Sequence, residues 1–206
     1  PTILSSAFPK GKAPSDRINV AVLGLGRQTV NPNIPQFLKS DNSAVVAVCD
    51  VDSWRLANAK KQVDDFYSAA KGSSYKGCGT FDDFREVMIR KDVDAVMIAT
   101  PDHWHVPMAI EAARAGKHVS LEKPVSTCIE HGRQLVKAIK KYGIITRNDS
   151  EFRPLPKFAR AIEIVRNGHI GKLVRIKVAV PAELSGDSLK AEPTMPVPPE
   201  LNYDKI

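Results

Sequence analysis

Two glycines one residue apart close a short apolar run, Ile18-Asn19-Val20-Ala21-Val22-Leu23-Gly24-Leu25-Gly26-Arg27-Gln28-Thr29. A β-branched run that stops at glycine is the pattern of a buried parallel strand entering a tight turn. Gly24 permits the turn, and Gly26 lets main-chain amides approach an anion such as a pyrophosphate at a helix N-terminus. Leu25, Arg27 and Gln28 share that loop and are candidate contacts with it. Thr29 stands where G-x-G-x-x-G has its third small residue, which argues against the usual close helix–strand packing. Pro32 and Pro35 predict a late or irregular helix start.

Asp50 ends the next apolar run, 24 residues after Gly26. That is near the roughly 20-residue spacing at which a carboxylate accepts hydrogen bonds from ribose hydroxyls. An acidic group there disfavours a 2′-phosphate, so the pattern favours NAD over NADP, while Arg55 keeps NADP open. The competing reading of Asp50 is a plain helix N-cap.

A second set of polar residues follows at Thr100-Pro101-Asp102-His103-Trp104-His105 and Glu122-Lys123-Pro124. Asp102 is placed to cap the helix after it. His103 and His105 are two apart, so on a helix they do not share a face; no metal site is assigned to them. Glu122 and Lys123 could be no more than a charged pair in a strand-end turn. Arg153 is a candidate clamp for a phosphate or carboxylate, or else a surface arginine.

These residues need a scaffold, and the apolar runs supply one. Strands are expected at Ile18–Gly24, Ala44–Asp50, Asp94–Thr100, Lys117–Glu122 and Gly143–Asn148. Helical spacing with charged outer faces falls between them, at Ser53–Ala70, Phe81–Arg90, Val106–Ala115 and Ser126–Tyr142. This alternation predicts βαβ units and a doubly wound α/β domain, a parallel sheet with helices on both faces. Gly116 and Gly143 follow two of the helices and suit left-handed C-terminal caps. A further helix is expected over Leu155–Asn167. The more alternating run Lys172–Val180 reads as the first strand of a second, antiparallel sheet. The organisation expected is an extended lead-in over 1–17, a dinucleotide-binding domain over 18–150, and a linking helix with the beginning of an incomplete substrate domain over 151–206.

Composition narrows the classes. With 43% hydrophobic and 26% charged residues, the chain fits neither the disordered nor the membrane class. Its formal charge of +7, from 30 Lys+Arg against 23 Asp+Glu, is scattered rather than gathered in a stripe, which argues against nucleic acid as a partner. Cys49, Cys78 and Cys128 match neither a metal-ligand pair nor a disulfide framework and are read as structural.

Taken together, the glycine turn, T-P-D-H-W-H and E-K-P resemble the Gfo/Idh/MocA oxidoreductases over about Ile18–Val180. In that family a T-P-x-x-x-H segment ends the fourth strand and E-K-P the fifth. The resemblance implies that Lys123 sits beside the nicotinamide and the reacting hydroxyl. A lysine has an unperturbed pKa near ~10.4, so acting as a base near neutrality would require burial or neighbouring cations; charged, it can polarise a carbonyl or hold a hydroxyl in line. It also implies that Thr100, Pro101 and His105 line the coenzyme crevice, that Glu122 places Lys123, that Pro124 is cis, and that Arg153 lies near nicotinamide or substrate. The D-H-W-H wording and the lead-in resemble the exported, sugar-related subset, which implies a periplasmic or secreted location.

Family members continue into a large antiparallel sheet with a second catalytic group, and neither is found after Val180. Two readings stay open. One is an NAD(P)-dependent oxidoreductase moving hydride between coenzyme and a sugar or cyclitol hydroxyl, or using it within a redox-neutral cycle on a glycoside, as a homo-oligomer or with a partner chain supplying the missing sheet. The other is a catalytically idle dinucleotide-binding or interaction module.

Overall fold

A computed structural model describes residues 16–71, 74–150, 155–179 and 193–205. The chain divides into two units, residues 1–149 with 199–206, and residues 150–198. Most of the lead-in and Arg153 lie outside the described residues.

In the first unit the strands are β1 (Ile18–Leu23), β2 (Ser43–Cys49), β3 (Gly79–Phe81), β4 (Ala95–Ile98), β5 (His118–Leu121) and β6 (Thr146–Asn148). They form one six-stranded sheet in the order β3-β2-β1-β4-β5-β6, and each neighbouring pair is parallel. This is the doubly wound arrangement expected, with its reversal of strand order between β1 and β4. The helices are α1 (Ile34–Lys39), α2 (Ser53–Lys71), α3 (Phe84–Met88), α4 (Asp102–Arg114) and α5 (Ile129–Tyr142).

Residues alternate along β1 into two cores. Val20 and Val22 pack with Ile34, Leu38, Val63 and Tyr67 on the face of α1 and α2. Ala21 and Leu23 join Val96, Ile98, Val106, Val119 and Leu121 on the opposite face, toward α3, α4 and α5. The register of β1 on β2 slips after Val20↔Val45, because Ala21 pairs with Ala47 and Val46 is extra. One inserted residue reverses the side on which the rest of the strand packs, and both Val46 and Ala47 therefore face the second core.

The expected irregular start after the glycine turn is present. Thr29–Asn33 is a π-helical turn with Pro32 inside it, and Pro35 opens α1. Proline has no N–H to give to an α-helical ladder, and the widened turn accommodates it. Gly116 and Gly143 take positive φ at 71° and 66°, as expected of left-handed caps.

Four details differ from expectation. β3 takes the first residue of what reads as a helix, leaving α3 only five residues long. Asp102 makes no capping bond; Pro101 is the cap position and Asp102 is the first helical residue, where its charge faces the positive end of the helix dipole. Thr29 does not spoil the packing: it is fully buried, and its hydroxyl donates to the Gly24 carbonyl at 2.7 Å, which satisfies the polar atom a third glycine would lack. In the second unit α6 (Pro156–Arg166) forms close to its expected bounds, but residues 172–179 form no strand. A strand requires a hydrogen-bonded neighbour. None lies beside this run among the described residues, and Val174, Ile176 and Val178 are exposed.

Candidate coenzyme site at the carboxyl edge of the sheet

The candidate coenzyme and catalytic residues of the first unit follow the carboxyl ends of β1, β2, β4 and β5. In an open parallel sheet, this edge at the reversal of strand order is where ligands bind.

Two glycines with different causes form the turn after β1. Gly24 has φ 82°, and a Cβ there would stand 2.6 Å from the Ala99 carbonyl oxygen, against the end of β4. The fold itself therefore demands glycine at 24. At Gly26 the nearest atom to a Cβ would be Arg55 Nη1 at 3.7 Å. Among the described residues nothing demands glycine at 26, since only the tip of the flexible Arg55 side chain comes within ordinary contact. Thr29 and Val30 both donate their N–H to the Gly26 carbonyl, which starts the following helix at once. Arg27 and Gln28 project from the turn as exposed residues, whereas Leu25 is buried.

Asp50 stands beside that turn. Its Oδ2 accepts from Leu25 N–H at 2.6 Å and its Oδ1 from Asp52 N–H at 3.0 Å, and the group is only partly buried. The role of helix cap belongs to Asp52, whose Oδ1 accepts from Arg55 N–H at 3.0 Å and whose Oδ2 pairs with Arg55 Nε at 3.1 Å. Just before Asp50, burial together with the neighbouring acids, Asp50 first, pushes the Cys49 thiol up to about 12.

Thr100, Pro101 and Glu122-Lys123-Pro124 meet through one imidazole. His105 is 1% exposed, with Nδ1 2.7 Å from the Pro124 carbonyl and Nε2 2.9 Å from the Thr100 carbonyl. Both ring nitrogens are thus occupied by main-chain oxygens, and His105 ties the two motifs together. Thr100 also places its hydroxyl 3.8 Å from Met108 Sδ. The Lys123–Pro124 peptide is cis. Glu122 is buried; its Oε2 accepts from Lys123 N–H at 3.2 Å and its Oε1 from Asn33 Nδ2 at 3.1 Å. The Lys123 side chain is exposed at the same edge.

Asn33 and Thr29 were not candidates from sequence. Asn33 lies 89 positions from Glu122, and an asparagine beside two prolines reads as a turn residue. Its only sequence signal is an amide on the inward face of the helix after a glycine turn. Among the described residues no group of three His, Cys, Asp or Glu is placed to hold a metal ion. The described residues include no helix long and apolar enough to cross a membrane.

Residues 18–149 match the family model of the Gfo/Idh/MocA oxidoreductases, described as an oxidoreductase family with an NAD-binding Rossmann fold. The chain belongs to that family. A glycosyl hydrolase family 109 protein of Saccharopolyspora erythraea is 35% identical over 126 residues, 61% of this chain and 27% of the relative. Among solved structures, scyllo-inositol dehydrogenase from Lactobacillus casei, with bound NAD(H) and scyllo-inositol, matches 75% of this chain and 42% of its own at 25% identity and a TM-score of 0.64. A 3-ketoreductase from Actinomadura kijaniata in complex with TDP-benzene and NADP shares the fold at 22% identity and a TM-score of 0.66, over 76% of this chain and 46% of its own. This chain spans less than half the length of each.

Proposed function

We propose that this chain seats NAD along the carboxyl edge of its sheet and, within the whole protein, directs hydride transfer to or from a sugar or cyclitol hydroxyl. The reading is carried by Gly26: a glycine that no contact among the described residues requires, beside a carboxylate held at ribose spacing. The N–H groups of Gly24 and Leu25 go to Cys49 and Asp50, so a pyrophosphate would take its amides from Gly26 onward, at the helix N-terminus, while partly buried Asp50 supplies an acceptor for ribose hydroxyls. Its negative charge opposes a 2′-phosphate, which favours NAD.

The coenzyme, when bound, supplies the hydride acceptor. Oxidation of an alcohol there would give up its carbon-bound hydrogen as hydride to that acceptor and its hydroxyl proton on the Lys123 side, leaving a carbonyl. Lys123 is the residue that acts at that oxygen, holding the hydroxyl in line and answering the charge that develops there. Glu122 fixes its main chain and His105 fixes the turn that follows. The glycosyl hydrolase relative supports a redox-neutral version, in which oxidation of a sugar carbon would acidify the proton on its neighbour, loss of that proton would expel the glycosidic oxygen one carbon further on as the protonated alcohol, water would add to the double bond, and the hydride would be returned to the carbonyl. An exported location belongs to the same proposal and is supported by the D-H-W-H wording.

The exposed apolar residues of 172–179 favour a second reading, an interaction module whose partner covers them. Equilibrium titration with NAD and NADP tests the primary reading. Saturable NAD binding that weakens about tenfold in Asp50→Ala is expected, as for loss of a charge-assisted hydrogen bond. Binding of neither nucleotide overturns it.

A further inference from the structure

The chain leaves the first unit after Asp149 and rejoins it at Pro199. What it does on rejoining is specific. The Glu200 carbonyl accepts from Ser53 N–H at 2.9 Å and from Ser53 Oγ at 3.2 Å. Leu201 forms an antiparallel bridge with Asp52, and Asn202 N–H donates to the Val51 carbonyl at 2.9 Å. Lys205 Nζ pairs with Asp82 Oδ2 at 2.8 Å, beyond β3. That hydrogen bond holds the Asp82 carboxyl below the usual carboxylate range. Thus residues 200–202 dock on residues 51–53, the three that follow Asp50.

Ser53 and Arg55 are the residue types that would welcome a phosphate at this place: a hydroxyl, a free amide at a helix N-terminus and a guanidinium. The main-chain and hydroxyl donors are already engaged, and the guanidinium is held through its Nε. The amide and hydroxyl of Ser53 go to Glu200, the amide of Asp52 to Asp50, and the amide and Nε of Arg55 to Asp52. Two carboxylates against one guanidinium leave the corner negative.

We infer that the segment 200–205 sets the coenzyme preference, by engaging the Ser53 donors and fixing the main chain of Asp52 so that its carboxylate retains Arg55. These residues are positioning residues that act through the β2–α2 turn. They favour a coenzyme with a 2′-hydroxyl, which asks only for the acceptor on Asp50, and disfavour one with a 2′-phosphate, which would draw on the Ser53 amide and hydroxyl that Glu200 engages. The inference rests on the proposed coenzyme site with its adenosine ribose at Asp50.

Two substitutions loosen the segment without touching a proposed coenzyme contact. Asn202→Pro removes the N–H given to Val51, and Lys205→Glu turns the Asp82 pair into a repulsion. Dissociation constants for NAD and for NADP are measured on the full chain beside its thermal midpoint. The expected result is a shift of the affinity ratio toward NADP, about tenfold for Asn202→Pro and about threefold for Lys205→Glu, the range of one hydrogen bond or a part-exposed ion pair. Lys205→Glu combined with Asp82→Lys should restore the original ratio, which general damage to the fold would not do. Because Lys205 is a surface residue, its variant keeps the test open if the proline variant does not fold. A wild type that binds NAD, with a ratio unmoved in Lys205→Glu and in any folded Asn202→Pro, overturns the inference and leaves the coenzyme site standing. A wild type that binds neither nucleotide overturns both.

Discussion

The two halves of the carboxyl edge are built on opposite plans. On the β1–β2 side every acidic oxygen that faces the glycine turn is tied to a main-chain amide or to Arg55. On the β4–β5 side the tie is made by a buried imidazole and a buried carboxylate, and the one cation of E-K-P is left exposed. A surface that only binds gains from having its groups fixed beforehand, since ordering them later would cost affinity. A group that must act on a substrate oxygen needs a fixed base and a free end. The comparison teaches that rigidity here is placed under Lys123 rather than on it.

The largest effect should come from cutting off that free end. In the whole protein, Lys123→Ala is expected to lower turnover about a thousandfold, within the range for loss of a group that acts on a proton in the transition state. NAD affinity, read by titration, should stay within about twofold, since binding is assigned to the other half. Full turnover in the variant would end the division of labour between the halves.

The glycine pair sharpens the same contrast inside one turn. Gly24→Val places carbon into the Ala99 carbonyl and should cost about 3 kcal/mol or more in thermal unfolding, as a clash at a left-handed position does. Gly26→Ala, whose added carbon meets only the Arg55 tip at 3.7 Å, should leave stability within about 0.5 kcal/mol of the parent and still weaken NAD binding strongly. If both variants melt alike, the assignment of one glycine to fold and one to ligand is lost.

Asn33→Leu probes the base beneath the lysine. It removes the donor to Glu122 Oε1 and should cost about 2 kcal/mol, the price of leaving a buried carboxylate oxygen without its partner. Turnover should fall with it, and Asn33→Gln should recover neither, because the longer amide misplaces the donor.

Alkaline stability tests the enclosure of the two inner thiols. Burial raises Cys49 and Cys78 from 9.0 to about 12, and Tyr67 from 10.0 to about 12. The unfolded chain loses these protons first, so the folded state is favoured fully below about pH 9 and progressively less above it. Denaturant midpoints measured from pH 8 to 11 should decline; a flat profile would mean that the two thiols are not enclosed as described.

How much of this was legible in the sequence depended on chain distance. β1, β2, β4 and β5 stood out because buried parallel strands are uninterrupted apolar runs, and the parallel, doubly wound sheet followed from their alternation with helices. β3 did not, since Gly79-Thr80-Phe81 is too short and too polar for any period to show. Asp50 was visible through its spacing to Gly26. The Asn33–Glu122 bond and the docking of Glu200 on Ser53 were invisible, because pairs 89 and 147 positions apart leave no local pattern. The run 172–179 has strand composition without a strand, since alternation describes a face and not the neighbour that must cover it.

The cysteines have a practical consequence. Cys49 and Cys78 are buried, and only Cys128, the cap residue of α5, meets solvent. A maleimide dye added to the unaltered polypeptide would therefore attach at one place, five residues beyond Lys123 in the chain. Its emission would give an optical readout of occupancy on the lysine side, separate from any signal of the dinucleotide itself.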